Sequence, residues 1–149
     1  MMKKILGVIA ALVFSAGAMS MGVVQVNAAE QERVSDGNDS YETATYLDVN
    51  GSVTDTIMDA KDVDFFRLSP NANGAITVSF QHTYKDSSDN GWNIDIYKYE
   101  NGEYKDVSSS RIQFTDNENI QLPFIGATAG SVYYVKISRY WDCIGEGYT

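Results

Sequence analysis

The sequence predicts an all-β protein, an antiparallel β-sandwich or jelly roll with one short helical turn near its N-terminal end. Apolar and polar residues alternate with period two along several short segments, which is typical of half-buried strands. Clusters of Gly, Asn, Asp and Ser separate these segments, as turns do between the strands of a sandwich. Strands do not alternate with helices in this pattern and no Gly-rich phosphate loop occurs, so a nucleotide-binding α/β fold is not supported.

The N-terminal segment has the features of a secretory signal peptide. Lys3 and Lys4 form a basic start, a long apolar stretch follows from Ile5, and small residues occupy the −3 and −1 positions before the bond that follows Ala28. We therefore predict a signal peptide over residues 1–28 and a secreted, extracellular protein. A retained membrane anchor is the alternative, because the weakly apolar run approaches the length that spans a bilayer.

The charge of the predicted mature chain limits its partners. Loss of the signal peptide leaves nine basic and 20 acidic residues, a net charge of −11. Such a surface repels phosphate groups, so nucleic acid and anionic membranes are not expected as partners. The remaining chain, about 121 residues long, is predicted to form a polar, flexible leader over residues 29–37 and a single domain over residues 38–149.

The domain is predicted to begin with a helical turn and to continue as strands. In the segment NDSYETAT, residues 38–45, Asp39 or Ser40 can cap a short helical turn. Alternation is clear over residues 75–81 and again in WNIDIYKY, residues 92–99. The first group of predicted strands covers residues 51–57, 65–68, 75–81 and 92–99.

A tight hairpin is predicted at Asn101 and Gly102, because this pair supplies the two positive φ angles of a type I′ turn. The later strands are predicted over residues 104–108, 111–114, 119–125 and 131–141. In the last of these, Tyr133, Val135 and Ile137 share the face expected to pack in the core, and the residues between them face outward.

Few residues are available for catalysis. His82 is the single histidine, no G-x-S-x-G nucleophile motif accompanies it, and its position before a polar loop predicts a surface histidine. With Cys143 as the single cysteine, zinc lacks its usual nitrogen and sulfur ligands, and this cysteine is expected to be a small, partly buried apolar residue. The sequence therefore predicts a protein that is not an enzyme, with a small secreted hydrolase that uses a carboxylate pair as the alternative.

Carboxylates and amide oxygens cluster in two segments near the start of the domain. Such oxygens are the ligands that calcium prefers, so two loops brought together could bind one ion. Asp and Asn are also common in turns and at helix caps, and the spacing leaves both interpretations open. The candidate metal ligands are Asp36, Asn38 and Asp39 in one segment, and Asp59, Asp62 and Asp64 in the other.

Several stretches of the sequence contain motifs of one known family. They are GNDSYETAT, GSVTDTIMDAKDVDFFRL, GAITVSF and AGSVYYVKISR. Together they resemble the bacterial pre-peptidase C-terminal domain, a β-sandwich found beside secreted peptidases and in clostridial collagenases, over roughly residues 36–148. The most specific matches are Asp36, Asn38, Asp39, Ser40, Tyr41 and Ala44, then Asp62, Asp64, Phe65 and Phe66, and finally Ala129, Gly130, Tyr133, Tyr134 and Val135.

The resemblance implies a non-catalytic domain that assists the secretion, folding or substrate attachment of a neighbouring enzyme. Some members of the family bind calcium between the N-terminal acidic segment and the loop before the Asp-aromatic strand, which implies the same six candidate ligands here. Two features depart from the family: Asp36 stands where glutamate is frequent, and the chain stops at Thr149, where the last strand normally continues. Because no peptidase accompanies the domain in this sequence, we expect it to act on a secreted peptidase in trans, or to be a remnant.

Aromatic residues are the second candidate binding feature. The sequence has ten tyrosines and two tryptophans, and rings of this kind combine apolar area with hydrogen-bonding edges that suit sugar rings and extended peptides. High β propensity and cross-strand pairing also explain the tyrosines. We predict a ligand platform of Tyr97, Tyr99 and Tyr134 for an extracellular protein fibre or polysaccharide; a structural protein with no ligand beyond a metal is a further alternative. Other aromatic residues expected at outward-facing positions or strand ends are Tyr104, Tyr140 and Trp141.

Overall fold

The structure, a computed structural model, describes residues 23–25, 37–82, 91–113, 119–122, 125–140 and 143–149. Within these residues it contains twelve strands and no helix, so the predicted all-β fold is confirmed. No helix in this part of the chain is long and apolar enough to cross a membrane. The strands are β1 Val23–Gln25, β2 Thr45–Tyr46, β3 Asp55–Thr56, β4 Val63–Leu68, β5 Gly74–Thr77, β6 Ser79–Gln81, β7 Gly91–Glu100, β8 Glu103–Gln113, β9 Asn119–Gln121, β10 Ile125–Ala127, β11 Val132–Tyr140 and β12 Gly147–Tyr148.

One layer of the sandwich is a five-stranded sheet with the order β2-β4-β11-β7-β8. β11 lies at its centre and pairs antiparallel with β4 and β7, while the short β2 pairs in parallel with β4. The predicted alternation in β7 and β11 is confirmed, because Trp92, Ile94 and Ile96 lie in the core together with Tyr133 and the aliphatic residues that alternate after it. The residues between them lie on the outer face of this sheet.

The other layer consists of shorter strands. β5 pairs with β10, β6 with β9, and β12 with β3, in each case antiparallel. The C-terminal end joins two of these pairs, because Thr149 and Gln81 exchange both of their backbone hydrogen bonds, at 2.8 and 2.9 Å. The closing strand of the domain is therefore present, although β12 is only two residues long.

Aromatic side chains fill one part of the core. Phe80, Trp92 and Tyr148 are at most 2% exposed, and their ring centroids lie 5.2 to 6.5 Å apart. His82 lies beside them and is also buried, so the prediction of a surface histidine is wrong. The reason is a backbone bridge between His82 and Tyr148, which extends the sheet one residue beyond β6 and holds this residue within the sandwich. Cys143 was predicted to be a partly buried apolar residue, and in the structure it is fully buried in the core.

β7 and β8 form a long hairpin. At its tip Asn101 and Gly102 have φ angles of 56° and 84°, so the predicted turn with two positive φ angles is confirmed. Two strands that were predicted separately merge into β8, because β8 is paired with β7 from one end to the other except at one residue. A register shift next to Ile96 leaves Val107 as the extra residue of a β-bulge on this edge strand.

Two predicted strands are shorter than their alternation suggests. Of residues 51–57, only Asp55–Thr56 form a strand, which pairs with β12. The segment 75–81 is divided at Val78 into β5 and β6, and the carbonyl of Val78 accepts a hydrogen bond from the backbone N–H of Leu122. The two halves pair with different strands, β5 with β10 and β6 with β9. The alternation of apolar and polar residues continues through this break, so it does not show where one pairing ends and the other begins.

β1 lies inside the predicted signal peptide. Its three residues pair in parallel with β5, with Val24 opposite Ile76. A mature chain that begins at Ala29 lacks this strand, and the edge of β5 that it covers is then open. The rest of the predicted signal peptide and residues 29–36 of the predicted leader lie outside the described residues.

Candidate functional site

The outer face of the five-stranded sheet carries a cluster of aromatic side chains, here called the tyrosine face: Phe65, Tyr97, Tyr99, Tyr104 and Tyr134. The strand register places Tyr97 opposite Tyr134, and Tyr99 opposite Tyr104. Side chains in such cross-strand positions are in contact range of one another. The sheet therefore brings the three tyrosines of the predicted platform onto one face.

A sixth ring, Tyr41, packs onto the tyrosine face from the N-terminal turn. It stacks on Tyr104 with ring centroids 3.5 Å apart and planes inclined by 12°. Tyr97 and Tyr134 meet it in T-shaped contacts at 5.7 and 5.1 Å, and the Phe65 ring is 4.6 Å away. Tyr41 thus fills a slot whose walls come from four neighbouring strands.

The turn that carries Tyr41 is closed by two reciprocal hydrogen bonds. The Ser40 hydroxyl accepts from the backbone N–H of Thr43 at 3.3 Å, and the Thr43 hydroxyl accepts from the N–H of Ser40 at 3.2 Å. Ser40 therefore has the predicted capping role, and the structure here is a turn over residues 41–43. The sequence placed Tyr41 in a family motif, but strand periodicity gave no signal that would group it with the tyrosines of the sheet.

Exposure differs strongly across the tyrosine face. Tyr99 and Tyr104 are 41% and 37% exposed, whereas Tyr134 is 7% exposed and packs against both Tyr41 and Tyr104. Of the three predicted platform residues, Tyr134 therefore forms the floor of the slot. The part open to a ligand lies at Tyr99 and Tyr104, near the tip of the long hairpin.

Two other aromatic residues were expected at outward positions or strand ends. Tyr140 lies at the end of β11, and the guanidinium carbon of Arg111 is 3.6 Å from the centre of its ring. This arrangement is a cation–π contact between neighbouring parts of the sheet. Trp141 lies outside the described residues.

Burial raises the pKa of two phenols in the slot, those of Tyr41 and Tyr97. The pKa of Tyr41 is raised to about 12, mainly by loss of hydration and then by the neighbouring Tyr97. Burial also raises the pKa of Tyr97, and the carboxylates of Asp95 and Asp106 raise the pKa of both residues further. Lys136 lies 3.9 Å from Asp95 and offsets part of this negative charge. The slot therefore offers neutral hydroxyl groups in acidic surroundings.

The second candidate site lies at the entry of β4, where three aspartates occur within residues 59–64, the last of them inside the strand. One carboxylate oxygen of Asp59 accepts hydrogen bonds from the backbone N–H groups of Lys61 and Asp62, at 2.7 and 3.1 Å. The Asp62 carboxylate accepts from the N–H of Met58. Both aspartates thus stabilise the turn, which is the role that the turn-forming interpretation gave them.

Asp64 has a different environment from the turn aspartates. It is 2% exposed, lies on the core face of β4 opposite Ile137, and accepts a hydrogen bond from the Tyr148 hydroxyl. Burial and the nearby Asp64 carboxylate raise the pKa of Tyr148 well above its usual value. A buried carboxylate is costly without polar partners, and the Tyr148 hydroxyl is one such partner for Asp64.

The N-terminal segment meets the entry of β4, as the calcium hypothesis required. The carbonyl of Asn38 accepts a hydrogen bond from the backbone N–H of Phe65 at 2.9 Å. The Asn38 side chain is fully buried, and its amide nitrogen and oxygen have no hydrogen-bond partner among the residues that the structure describes. Such orphaned atoms are rare in native proteins and fit a ligand that supplies the missing contact.

The other candidate ligands give less support to a metal site. Asp39 and Asp59 are exposed, and Asp36 lies outside the described residues. In the part of the chain that the structure describes, no group of three or more acidic, His or Cys side chains is arranged to hold a metal ion. The geometry therefore supplies an orphaned amide and buried carboxylates near the same strand, without a complete ligand set.

Solved structures similar to this chain include the pre-peptidase C-terminal domain of a collagenase from Bacillus anthracis, with a TM-score of 0.52 and 14% sequence identity. The match covers 79% of this chain and 95% of that domain. The chain has a fold similar to that of a pre-peptidase C-terminal domain. No family model and no curated protein match the sequence, so the likeness concerns the fold alone.

The motifs behind the resemblance have clear positions in this pre-peptidase C-terminal-like fold. The Asp-x-Asp-Phe-Phe motif forms the entry and first half of β4, where Phe65 faces the slot and Phe66 faces the core. The Tyr-Tyr-Val motif lies in the central strand β11, with Tyr133 in the core. The Tyr133 hydroxyl also donates to the carbonyl of Gly126 and accepts from the N–H of Thr128, which ties the two layers together.

Proposed function

We propose that this protein is a secreted, non-catalytic binding or accessory module that attaches to an extracellular protein fibre or polysaccharide, or assists a secreted peptidase in trans. The observation that supports this proposal is the tyrosine face, where Tyr99 and Tyr104 remain exposed beside a packed group of aromatic rings. Aromatic rings with accessible hydroxyl groups provide much contact area at low entropic cost. The similar fold of a domain that belongs to a collagenase favours a role beside a peptidase.

The alternative function, hydrolysis by a carboxylate pair, has little support from the acidic residues at the entry of β4. Asp62 and Asp64 are 6% and 2% exposed, and each already accepts a hydrogen bond from the protein itself. A substrate does not reach carboxylates in this position. A binding role for the exposed aromatic rings therefore has the better structural support.

We further propose that calcium stabilises the domain. The orphaned amide of Asn38 and the buried carboxylates of Asp62 and Asp64 support this proposal, because calcium prefers amide, carbonyl and carboxylate oxygens. The ion would hold the N-terminal segment against the entry of β4 and would take no part in a reaction. The residues proposed to hold it are Asp36, Asn38, Asp39, Asp59, Asp62 and Asp64.

Secretion can be tested on the mature N-terminus. If the signal peptide is removed after Ala28, mass spectrometry of the culture supernatant is expected to find a chain that begins at Ala29. Recovery of the full-length chain in the membrane fraction would contradict the proposal and support the retained anchor. A mature chain that begins before Val23 would show that cleavage occurs earlier than predicted and that the secreted protein retains β1.

Attachment can be tested by replacing an exposed ring of the tyrosine face. Tyr99→Ala is expected to weaken pull-down on insoluble collagen or polysaccharide about tenfold or more, because exposed aromatic anchors dominate such contacts. The melting temperature is expected to change little, since 41% of Tyr99 is exposed. Tyr46→Ala is the matched control, because Tyr46 is 52% exposed on β2, at the opposite edge of the same sheet.

Equal loss of binding in the Tyr99→Ala and Tyr46→Ala variants would contradict attachment through the tyrosine face, as would unchanged binding in both. Tyr134→Ala serves a different purpose. This residue is 7% exposed and supports the slot, so we expect its replacement to lower stability as well as binding. The triple replacement of Tyr97, Tyr99 and Tyr134 therefore cannot separate binding from folding, whereas Tyr99→Ala can.

A further inference from the structure

We propose that the slot filled by Tyr41 is a binding subsite for a tyrosine side chain of an extended, basic peptide, which takes the place of Tyr41. This inference deepens the proposed function, since it names the ligand class of the tyrosine face. It starts from the occupant that the slot already has. A site that holds one tyrosine of its own chain in a defined orientation has the shape and chemistry to hold another.

The side chains around the slot contact an aromatic ring both by stacking on its face and by T-shaped contacts. Tyr104 offers a nearly parallel face at 3.5 Å, and Tyr97 and Tyr134 are inclined to the bound ring by 88° and 89°. Stacked and T-shaped contacts of this kind depend on the quadrupole of an aromatic partner. A sugar ring has no such quadrupole and satisfies at most the stacking wall.

The slot also recognises a phenol hydroxyl. The rings of Tyr41 and Tyr97 meet in a T-shaped contact at 5.7 Å, and the interaction between the two phenols contributes to the raised pKa of Tyr41. A phenylalanine or leucine in the slot would leave the Tyr97 hydroxyl without this polar neighbour in a partly buried position. Loss of a polar contact of this kind is the usual basis for discrimination between tyrosine and its apolar analogues.

Negative charge around the slot selects the residues that flank the incoming tyrosine. The carboxylates of Asp95 and Asp106 raise the pKa of the Tyr41 phenol. The carboxylate of Glu42, the residue that follows Tyr41, raises the pKa of Tyr104. Lys136, at 3.9 Å from Asp95, neutralises only part of this charge. With a net charge of −11 on the predicted mature chain, we expect lysine or arginine beside the tyrosine of the peptide.

Tyr41 can leave the slot without displacing a residue of the hydrophobic core cluster. It is carried by a turn whose two closing hydrogen bonds, between Ser40 and Thr43, are exposed to solvent. None of the residues of this turn belongs to the hydrophobic core cluster. While Tyr41 is docked, it competes with the peptide, so the apparent affinity is reduced by the fraction of molecules whose slot is vacant.

The test measures the binding of a fluorescent synthetic peptide, an extended chain with one tyrosine between lysines, by fluorescence anisotropy. Tyr41→Ala is expected to bind it at least about tenfold more tightly than the wild type, because the competing ring is gone. The same peptide with leucine in place of tyrosine is expected to bind the variant about tenfold or more weakly. Tyr41→Phe keeps the competing ring but lacks its hydroxyl, so its affinity for the peptide is expected to lie between those of the wild type and Tyr41→Ala.

Equal affinity of the wild type and Tyr41→Ala would overturn the inference, and so would equal binding of the tyrosine and leucine peptides. Preference of Tyr41→Ala for a neutral oligosaccharide over both peptides would overturn it in favour of a glycan. Should Tyr41→Ala fail to fold, Thr43→Ala provides the same test, because it loosens the turn without removing a ring, and tighter peptide binding is again expected. The pull-down with Tyr99→Ala is independent: if fibre binding depends on Tyr99 but Tyr41→Ala changes nothing, only the present inference fails.

Discussion

Gly91→Ala is expected to lower the free energy of unfolding by about 3 to 5 kcal/mol, the range of severe single substitutions. A Cβ atom at this position would lie 1.9 Å from the backbone oxygen of Ile112 and 2.9 Å from the Cα of Gln113. The neighbours are backbone atoms of β8, so no side-chain rotation relieves the overlap. The φ angle of Gly91, +157°, adds strain for any residue with a side chain.

The effect is large because Gly91 begins β7, the strand that carries Trp92, Ile94 and Ile96 into the core. Relief of the clash would separate β7 from β8 at the end of the hairpin opposite its turn. Gly102→Ala is the matched control, since Gly102 has a φ angle of +84° but no atom lies within 4 Å of the position that its Cβ would take. We expect it to cost only about 1 to 2 kcal/mol, the penalty for a left-handed backbone with a side chain.

Urea unfolding of the two variants and the wild type measures this difference. The midpoint is expected to shift much further for Gly91→Ala than for Gly102→Ala, with a similar dependence on denaturant in both. Equal shifts would mean that β7 and β8 are not packed as closely as the structure has them. The tyrosine face would then have a different register, because Tyr99 and Tyr104 belong to the same two strands.

Calcium is expected to raise the melting temperature of the wild-type protein by roughly 5 to 10 °C at a concentration a hundredfold above its dissociation constant. A ligand that binds only the native state adds RT ln(1 + [L]/Kd), which is about 2.7 kcal/mol under this condition. For a domain of this size, that free energy corresponds to the stated shift in melting temperature. The ion would supply a partner for the Asn38 amide oxygen and would reduce the repulsion between the aspartates at the entry of β4.

The variant Asp62→Asn with Asp64→Asn is expected to lose the calcium-dependent increase. Without calcium, this variant is expected to lose less stability than it loses with calcium, because amides remove the charge that calcium would otherwise balance. Asp48→Asn is the matched control, since Asp48 is exposed and does not belong to the proposed ligands. Thermal unfolding with calcium and with a chelator compares the three proteins.

A wild-type melting temperature that millimolar calcium leaves unchanged would contradict the calcium proposal. The hydrogen bonds of Asp59 and Asp62 to the backbone before β4 would then account for these residues as turn formers. The Asp64 carboxylate would instead be stabilised by the hydrogen bond that the Tyr148 hydroxyl donates to it. An increase that survives in the double variant would place the ion elsewhere on the chain.

The sequence by itself determined the class of the fold and the two faces of its longest strands. Alternation of apolar residues is a local property of the chain, so it correctly placed Ile94 and Ile96 in the core and Tyr97 and Tyr99 outside it. Turn chemistry is equally local, and Asn101 with Gly102 was sufficient to predict the long hairpin. The motifs around β4 and β11 pointed to the pre-peptidase C-terminal fold, which the structural match supports.

Only the tertiary structure decided which residues meet across the chain. The burial of His82 depends on its pairing with the C-terminal Tyr148, and the burial of Tyr134 depends on Tyr41 from the N-terminal turn. Asp64 lies on a core-facing position of β4 and is stabilised there by a hydroxyl 84 residues away. Period and propensity describe neighbours in sequence, whereas these contacts join segments far apart in the chain, and their energy appears only when the two layers pack together.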